Sequence, residues 1–271
     1  MKQKILGSAI GEAALFLRNK LNILHTAYCS PERVGTVAND HLATQLVTTL
    51  CLPKKTFIDV GAHIGSIIAA VSRRDPSIKI IAIEAIPEKI ADLRKKFPFV
   101  ELHDCAVGES TGEVSFFINT RQSGFSSLVK PDSAYKDTTT EIKVPLRKLD
   151  DLVSSDNVDV IKIDVEGAEL GVLRGSTNLL NNCRPIIMFE SGEMDDVPQF
   201  PKKEMHQFLT SHNYAVIIPN RVAHNDPGLT EVGFIESHLY PHRTTNYVAI
   251  PHERRVEIRD RARDILNISI G

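Results

Sequence analysis

Residues 56–65 have the sequence TFIDVGAHIG, and a helix-like run, IGSIIAAVSRR, begins at Ile64. The first half is apolar and favours β-structure through Phe57, Ile58 and Val60, and it leads into a loop that has glycines at 61 and 65. The pattern predicts a strand, a tight turn and a helix. It therefore indicates the opening half of a βαβ unit.

The spacing of this loop indicates which nucleotide it suits. A dinucleotide fingerprint starting at Gly61 requires glycines at 63 and 66, where the chain has His63 and Ser66. The sequence is D-x-G-x-x-x-G instead, with Asp59 near the end of the strand. A carboxylate there would repel a pyrophosphate, but it would attract the ammonium and sulfonium charges of S-adenosylmethionine. Glycine would also let the backbone approach such a ligand closely.

A second carboxylate follows the next predicted strand, IKIIAIEAIP. Glu84 lies at its end, 19 residues after Gly65. α/β nucleotide sites place an acidic residue at this point to bind ribose hydroxyls. The alternative is a plain turn of a parallel sheet, with Asp59 capping the following helix and Glu84 solvated.

Length and composition limit the class of protein. The chain of 271 residues suits one α/β domain with additions, and its net charge of −2, with both signs interspersed, argues against a nucleic-acid partner. The four cysteines are widely separated, which predicts reduced thiols and a cytoplasmic protein. No segment has the roughly 18 apolar residues of a membrane span. We expect a small-molecule partner.

The N-terminal region predicts a helix over residues 5–24 with a broad apolar face. We expect this face to pack on the main domain, with a homo-oligomer contact or an interfacial membrane helix as alternatives. The residues that form the face are Ile5, Leu6, Ala9, Ile10, Ala13, Phe16, Leu17, Leu21 and Leu24. A second helix is predicted from about Asp40 to Leu50, with residues 39–41 placed over the ligand.

Apolar strands and helices alternate after residue 53, which predicts a doubly wound, mostly parallel sheet. Residues 112–147 break this rhythm with two strand-like segments around a polar run, which predicts a β-ribbon insertion. Ser126 and Ser127 are its candidate ligand-facing hydroxyls. The predicted organisation is an N-terminal helical extension (1–52), the α/β domain (53–251) and a C-terminal helical tail (252–271).

The segment NVDVIKIDVEGAEL places a second group of ionisable residues at a strand end. Lys162, Asp164 and Glu166 are two residues apart and would share one face if the strand extends that far. Glu169 follows in the first turn of a helix, and the next predicted strand, RPIIMFE, ends in Glu190. Because an open α/β sheet binds ligands at the carboxyl ends of its strands, this group is the second candidate site.

The last quarter of the chain is less specific. A long polar segment leads to the predicted strand NYVAIP, and the final residues predict an exposed helix with Glu257 and Arg261 paired at i,i+4. The segment supplies hydrogen-bonding groups for a polyhydroxylated substrate, although histidines in loops are more often solvated. These groups are His224, Asn225, His238, His242 and Arg243.

Several motifs together resemble the FkbM family of S-adenosylmethionine-dependent methyltransferases. They are FIDVGAHIG, AIEAIP, FSSL, LDDL, IKIDVEGAE and IIMFE, and they cover roughly residues 56–192. IKIDVEGAE is the specific part, since DVGAHIG is shared with many methyltransferases. His63 is a departure, because the family usually has asparagine there.

The resemblance implies a seven-stranded, Rossmann-like class I sheet whose last strand is antiparallel, and O-methylation of a sugar or polyketide hydroxyl. Asp59, Gly61, His63 and Gly65 would surround the methionine part of the cofactor. Glu84 and its neighbour Ala85 would hold the ribose, and Cys105 and Ala106 would border the adenine. Asp164 and Glu166 would face the reacting methyl group.

Two ways of removing the hydroxyl proton remain open. A carboxylate or Lys162 could act as general base, or Mg²⁺ or Mn²⁺ held by Asp164, Glu166 and Glu190 could acidify the hydroxyl. An ion pair of Lys162 that only holds the strand end is the structural alternative. A nicotinamide-dependent oxidoreductase and a non-catalytic S-adenosylmethionine-binding module are the rival functions.

Overall fold

A computed structural model describes residues 9–119, 128, 139–154, 157–192 and 201–268, with residues 9–16 and 19 described by their backbone alone. The helices are α1 Ala9–Cys29, α2 Val34–Leu50, α3 Ser66–Arg74, α4 Pro87–Lys96, α5 Leu149–Leu152, α6 Glu169–Arg174, α7 Thr177–Asn182, α8 Lys202–Ser211, α9 Glu231–Glu236 and α10 Arg255–Leu266. The strands are β1 Thr56–Val60, β2 Lys79–Ile83, β3 Glu101–His103, β4 Ala106–Val107, β5 Gly112–Asn119, β6 Thr139–Arg147, β7 Val158–Ile163, β8 Ile186–Glu190, β9 Tyr214–Ile217 and β10 Asn246–Pro251.

The main sheet has seven strands in the order β3-β2-β1-β7-β8-β10-β9. β1 pairs in parallel with β2 and β7, and β7 pairs in parallel with β8, whereas β10 is antiparallel to both β8 and β9. The predicted doubly wound, mostly parallel sheet with an antiparallel last strand is therefore confirmed.

Side chains that alternate along β1 enter separate cores on the two faces of the sheet. Phe57 packs into one core, with Leu46 of α2 and Ile68 of α3. Ile58 and Val60 pack into the other core on the opposite face. Because both faces are covered, the central strands are apolar almost throughout, and the exceptions among them mark the candidate site.

The predicted β-ribbon is also confirmed. β5 and β6 pair antiparallel over their length, and β6 pairs in parallel with the short β4, which forms a separate three-stranded sheet. Phe116 and Val144 form its small core, together with Ile86 from the loop after β2. Ser126 and Ser127 lie outside the described residues, and the predicted domain boundaries remain predictions.

Some predicted elements differ from the structure. α2 begins at Val34 rather than near Asp40, because Pro31 opens a 3-10 turn that runs directly into it. The strand predicted from Phe99 to Cys105 is shorter in the structure, where β3 spans Glu101–His103 and the separate β4 begins only at Ala106. The predicted Glu257–Arg261 pair of the last helix is present, but the helix is exposed on one side only, because Ile258 and Ala262 of α10 are buried against the α2 side of the core.

None of the described helices is both long enough and apolar enough to cross a membrane. The predicted homo-oligomer contact through α1 is untested.

Candidate functional site

Ionisable side chains meet at the carboxyl edge of the central strands. Asp59 lies opposite Lys162 in the register of β1 and β7, and both are followed closely by loops of the same edge. Glu84 follows β2 directly, and Glu190 is the last residue of β8. The structure thus brings together the two groups of residues that the sequence predicted separately.

Lys162 connects the aspartates of this edge. Its Nζ lies 3.3 Å from Asp59 Oδ1 and 3.1 Å from Asp164 Oδ2, and it donates a hydrogen bond of 3.1 Å to the carbonyl of Gly61. Burial alone would lower the pKa of Lys162, but the two carboxylates outweigh this effect and raise it. Lys162 is therefore a buried cation that holds the loop after β1 against the strand end of β7.

Asp59 lies behind Lys162. Its side chain is 0% exposed, and neither of its oxygens accepts a hydrogen bond from the described residues. Burial raises its pKa and outweighs the opposing effect of Lys162. Asp164, with a side chain that is 39% exposed, is accessible to a ligand, whereas Asp59 is not. The alternative that Asp59 caps α3 is wrong, because α3 has Gly65 as its N-cap and no side-chain cap.

The loop after β1 is held in left-handed backbone geometry. Gly61, His63 and Gly65 have φ values of 83°, 50° and 80°. A Cβ at Gly61 would lie 1.9 Å from the backbone oxygen of Asp164, so glycine is required there by the approach of another strand end. The sequence predicted this glycine for closeness to a ligand, and the structure adds closeness to Asp164. Burial and the charge of Lys89 lower the pKa of His63.

Glu84 is buried and binds the same loop. Its Oε2 accepts a hydrogen bond of 2.8 Å from the backbone N–H of His63, and its Oε1 accepts one of 2.9 Å from Ile86. Each carboxylate oxygen retains lone-pair capacity for a hydroxyl donor. Ala85 beside it is half-buried, while Cys105 and Ala106 are both buried next to the ribbon.

Three further carboxyl groups lie at the ends of β7 and β8. β7 ends at Ile163, so strand alternation does not place Glu166; a left-handed turn with φ of 53° does. Atoms of Asp164, Glu166 and Glu190 lie within 4.8 Å of one another. A non-glycine residue at positive φ is strained, and such strain concentrates at functional sites.

Their crowding separates their pKa values. Burial, followed by the charge of Asp164, raises the pKa of Glu190 to about 10, and burial raises that of Glu166 to about 7. Partial desolvation opposes the ionisation of Asp164, but Lys162 and a hydrogen bond from Glu190 hold its pKa below the ordinary value. At neutral pH Glu190 is therefore protonated, Asp164 is ionised, and Glu166 is close to its midpoint.

Sequence reasoning missed Lys89 entirely and gave no role to Glu169. Burial lowers the pKa of Lys89, which interacts electrostatically with Glu84, Asp164 and Glu166. Glu169 Oε1 accepts hydrogen bonds from the N–H groups of Val165 (3.2 Å) and Gly167 (3.1 Å). The signal for Lys89 was its place in the first turn of the helix that follows Glu84.

Of the polar residues predicted to supply hydrogen bonds to a substrate, His238 is used inside the protein, whereas His224 and Asn225 are exposed. His238 is buried, where its Nε2 lies 2.8 Å from Ser191 Oγ and its Nδ1 lies 2.7 Å from the carbonyl of Phe234. Asn39 donates a hydrogen bond of 2.8 Å to the carbonyl of Arg243, and Asp40 Oδ1 accepts one of 2.9 Å from Thr245. Residues 39 and 40 thus anchor the segment before β10, and the placement of residues 39–41 over the ligand stays a prediction.

The profile of the methyltransferase FkbM domain matches residues 59–216, more than half of the chain. The chain belongs to the FkbM methyltransferase family. The resemblance seen in the motifs is confirmed, and the match covers the strand ends that carry Asp59, Glu84, Asp164 and Glu190. This membership speaks against the nicotinamide-dependent alternative.

Relatives of this FkbM protein come from fungi and bacteria. "Methyltransferase 1" of Beauveria bassiana is 26% identical over 147 residues, which cover 45% of this chain and 59% of the relative. "Methyltransferase sdnD" of Sordaria araneosa is 28% identical over 159 residues, which cover 46% of this chain and 61% of the relative. The matched part thus spans less than two thirds of the length of either relative.

Solved structures with a similar chain path include a methyltransferase FkbM from Methylobacillus flagellatus KT. It has 16% identity and a TM-score of 0.49, and the match covers 88% of this chain and 60% of that one. The plantazolicin methyltransferase BpumL, solved with a triazolic analogue and SAH, has 11% identity and a TM-score of 0.41, with coverage of 93% and 95%.

Proposed function

We propose that this FkbM protein transfers a methyl group from S-adenosylmethionine to a hydroxyl group of a sugar, glycoside or polyketide. The observation that supports it is the convergence of Glu84, Asp164, Glu166 and Glu190 at the carboxyl edge of a methyltransferase sheet. S-adenosylmethionine supplies a methyl group that its sulfonium already activates. The protein must therefore orient the acceptor, exclude water and accept a proton.

The residues of the edge fit this donor. Lys162 lies beside both Asp59 and Asp164 and carries a single positive charge. The ionised and accessible Asp164 then favours a ligand that carries ammonium and sulfonium charges. Glu84 would bind the ribose hydroxyls through its remaining lone pairs, next to Ala85. The loop of Gly61, His63 and Gly65 would lie under the methionine part, while Cys105 and Ala106 would border the adenine.

Glu166 is our candidate general base. Its pKa of about 7 lies near the working pH, where a base is most effective, and its strained turn points to a functional constraint. Glu190, which holds a proton at neutral pH, would orient Asp164 through their hydrogen bond. The raised pKa of Lys162 keeps it charged, so it suits a positioning role better than that of a base. Asp59 would act only through Lys162.

Uptake of S-adenosylhomocysteine, measured by isothermal titration calorimetry, tests the donor site. We expect one-to-one binding by the full chain and at least tenfold weaker binding by Glu84→Gln. Asp104→Asn changes an exposed carboxylate near the same sheet edge and is the matched control. Absence of heat with the folded full chain would overturn the proposed donor.

Methyl transfer tests the base. With labelled S-adenosylmethionine and a panel of nucleotide sugars and glycosides, Glu166→Gln should lose a factor of about 10²–10⁴ in rate. Its affinity for S-adenosylhomocysteine should stay unchanged. Unchanged turnover would remove Glu166 from the chemistry. Donor binding without transfer to any hydroxyl acceptor would favour the non-catalytic module.

A divalent metal ion is the second way to acidify the hydroxyl. The oxygens of Asp164, Glu166 and Glu190 are close enough to coordinate one cation, and an all-carboxylate set suits Mg²⁺ or Mn²⁺. If the metal is used, exhaustive chelation abolishes methyl transfer and Mn²⁺ restores it. Full activity after chelation would leave Glu166 as the base.

A further inference from the structure

The first helix carries a stripe of large apolar side chains that face outward. Leu17, Leu21, Leu24 and Tyr28 are 58%, 54%, 66% and 91% exposed. Their spacing of four, three and four residues places them within an arc of about 60° on one face of α1. Exposed apolar residues are ordinary when scattered singly, whereas a continuous stripe indicates an interaction site.

α1 contacts the rest of the protein through a different face. α1 packs against α2, and Ile23 and Thr26 of α1 are half-buried. At about 100° per residue, these two positions lie on the side of the helix away from the stripe. A helix that belongs to a globular core turns its apolar face inward, so α1 has the opposite orientation. The expectation that this face packs on the main domain is wrong for its described part.

The charges around the stripe discriminate between possible partners. Arg18 and Lys20 are exposed, and the chain has no acidic residue between Glu12 and Glu32. Two copies of α1 packed stripe to stripe in parallel would bring Arg18 and Lys20 of one copy close to those of the other. An apolar stripe with Arg18 and Lys20 beside it instead suits the surface of an anionic bilayer.

We propose that α1 lies in the headgroup region of an anionic lipid membrane, with Leu17, Leu21 and Leu24 among the acyl chains. Arg18 and Lys20 contact the lipid phosphates, and Tyr28 lies at the level of the headgroups, where amphipathic aromatic rings are enriched. Such a helix lies along the surface and does not span it. This inference does not depend on methyl transfer.

The helix is connected to the candidate site. Tyr240 Oη donates a hydrogen bond of 2.5 Å to Glu32 just after α1, and Thr36 of α2 donates one to the carbonyl of His242. The segment so held leads into β10, where Asn246 pairs with Glu190. Tyr240 is itself 64% exposed. The end of α1 is therefore connected to Glu190 of the candidate site through Glu32, Tyr240 and β10.

Co-sedimentation of the full chain with lipid vesicles tests the inference. We expect binding to vesicles of phosphatidylcholine mixed with phosphatidylglycerol, at least tenfold weaker binding to phosphatidylcholine alone, and release by high salt. Leu21→Asp and the double change Arg18→Glu with Lys20→Glu should each weaken binding at least tenfold. Val256→Asp, which alters a similarly exposed side chain on α10, is the matched control and should bind like the unchanged protein.

Leu21→Asp should weaken vesicle binding without unfolding the protein. Thermal unfolding and S-adenosylhomocysteine uptake should be unchanged in Leu21→Asp, because its side chain is 54% exposed and lies on the face of α1 that is turned away from α2. Equal binding of Leu21→Asp and the unchanged protein would overturn the inference, as would absence of binding to the mixed vesicles. If sedimentation velocity shows a dimer that Leu21→Asp dissociates, the stripe binds a second copy and the membrane assignment is wrong.

Discussion

Two buried aspartates lie at opposite ends of the central strands. Asp159, at the start of β7, accepts hydrogen bonds from Arg254 (2.7 Å), Arg261 (3.1 Å) and the backbone N–H of Leu52 (2.9 Å). Asp59, at the end of β1, has only the ion pair with Lys162 at 3.3 Å, and its oxygens accept no hydrogen bond from the described residues.

The pKa values of these aspartates move in opposite directions. Burial opposes the ionisation of both, but the hydrogen bonds from the arginines and Leu52 outweigh it at Asp159 and lower its pKa. At Asp59 burial prevails and the pKa rises. A satisfied buried charge stabilises the fold, whereas an unsatisfied one needs another explanation. Residue type and burial alone would not separate the structural cluster from the candidate site.

The largest expected effect is at the structural end. Asp159→Ala should lower the free energy of unfolding by about 3–5 kcal/mol, because it leaves the guanidinium groups of Arg254 and Arg261 without their shared partner. Urea unfolding measures this. Asp104→Ala, which removes an exposed ion pair with Arg94, should cost less than about 1 kcal/mol. If Asp159→Ala and Asp104→Ala lowered the free energy of unfolding by similar amounts, Asp159 would not have the structural role described.

His238 should make the stability depend on pH. Burial lowers its pKa to about 4, so between about pH 6.5 and pH 4 the unfolded chain binds a proton that the folded chain does not. Stability should therefore fall by about 3 kcal/mol as the pH drops through this window. The difference between the unchanged protein and His238→Gln, measured by urea unfolding at each pH, isolates this contribution. Parallel pH profiles would show that His238 is not the cause.

The smallest expected effect on stability is at Asp59. Since its raised pKa means that folding disfavours the charged carboxylate, and since Asp164 still pairs with Lys162, Asp59→Asn should lower the free energy of unfolding by less than Asp159→Ala does. Lys162 would lose one of its partners, so affinity for S-adenosylhomocysteine should drop at least tenfold, or about 1.4 kcal/mol. Asp159→Asn should show the reverse: a lower free energy of unfolding, with unchanged affinity for S-adenosylhomocysteine in the molecules that remain folded. Loss of stability without loss of binding in Asp59→Asn would break the distinction.

Much of the fold was accessible from the sequence. The apolar strands alternate with helices and are followed by glycine or acidic residues, and these local patterns predicted the parallel sheet and the ribbon insertion. The antiparallel last strand was predicted by the family resemblance. The residues of the carboxylate edge followed from the rule that ligands bind at strand ends. Glu166 was placed correctly at this edge for a partly wrong reason, because a left-handed turn positions it.

The remaining features depend on tertiary contacts that no local pattern encodes. The burial of Asp59 behind Lys162 results from the register of β1 and β7. The exposure of the apolar face of α1 depends on which side of that helix meets α2. Likewise, His238 resembles a solvated loop histidine until the position of Ser191 is known.

Gly61 joins two parts of the edge that are distant in sequence. Its missing Cβ lets the backbone of Asp164 pack against it, its carbonyl accepts from Lys162, and Asp164 N–H binds the carbonyl of Val60 at 3.1 Å. Because the two backbones are in close contact and are joined by these hydrogen bonds, we expect the loop after β1 and the end of β7 to move together. Binding of a methyl donor to that loop would therefore also change the position of the Asp164 carboxylate, even without an acceptor.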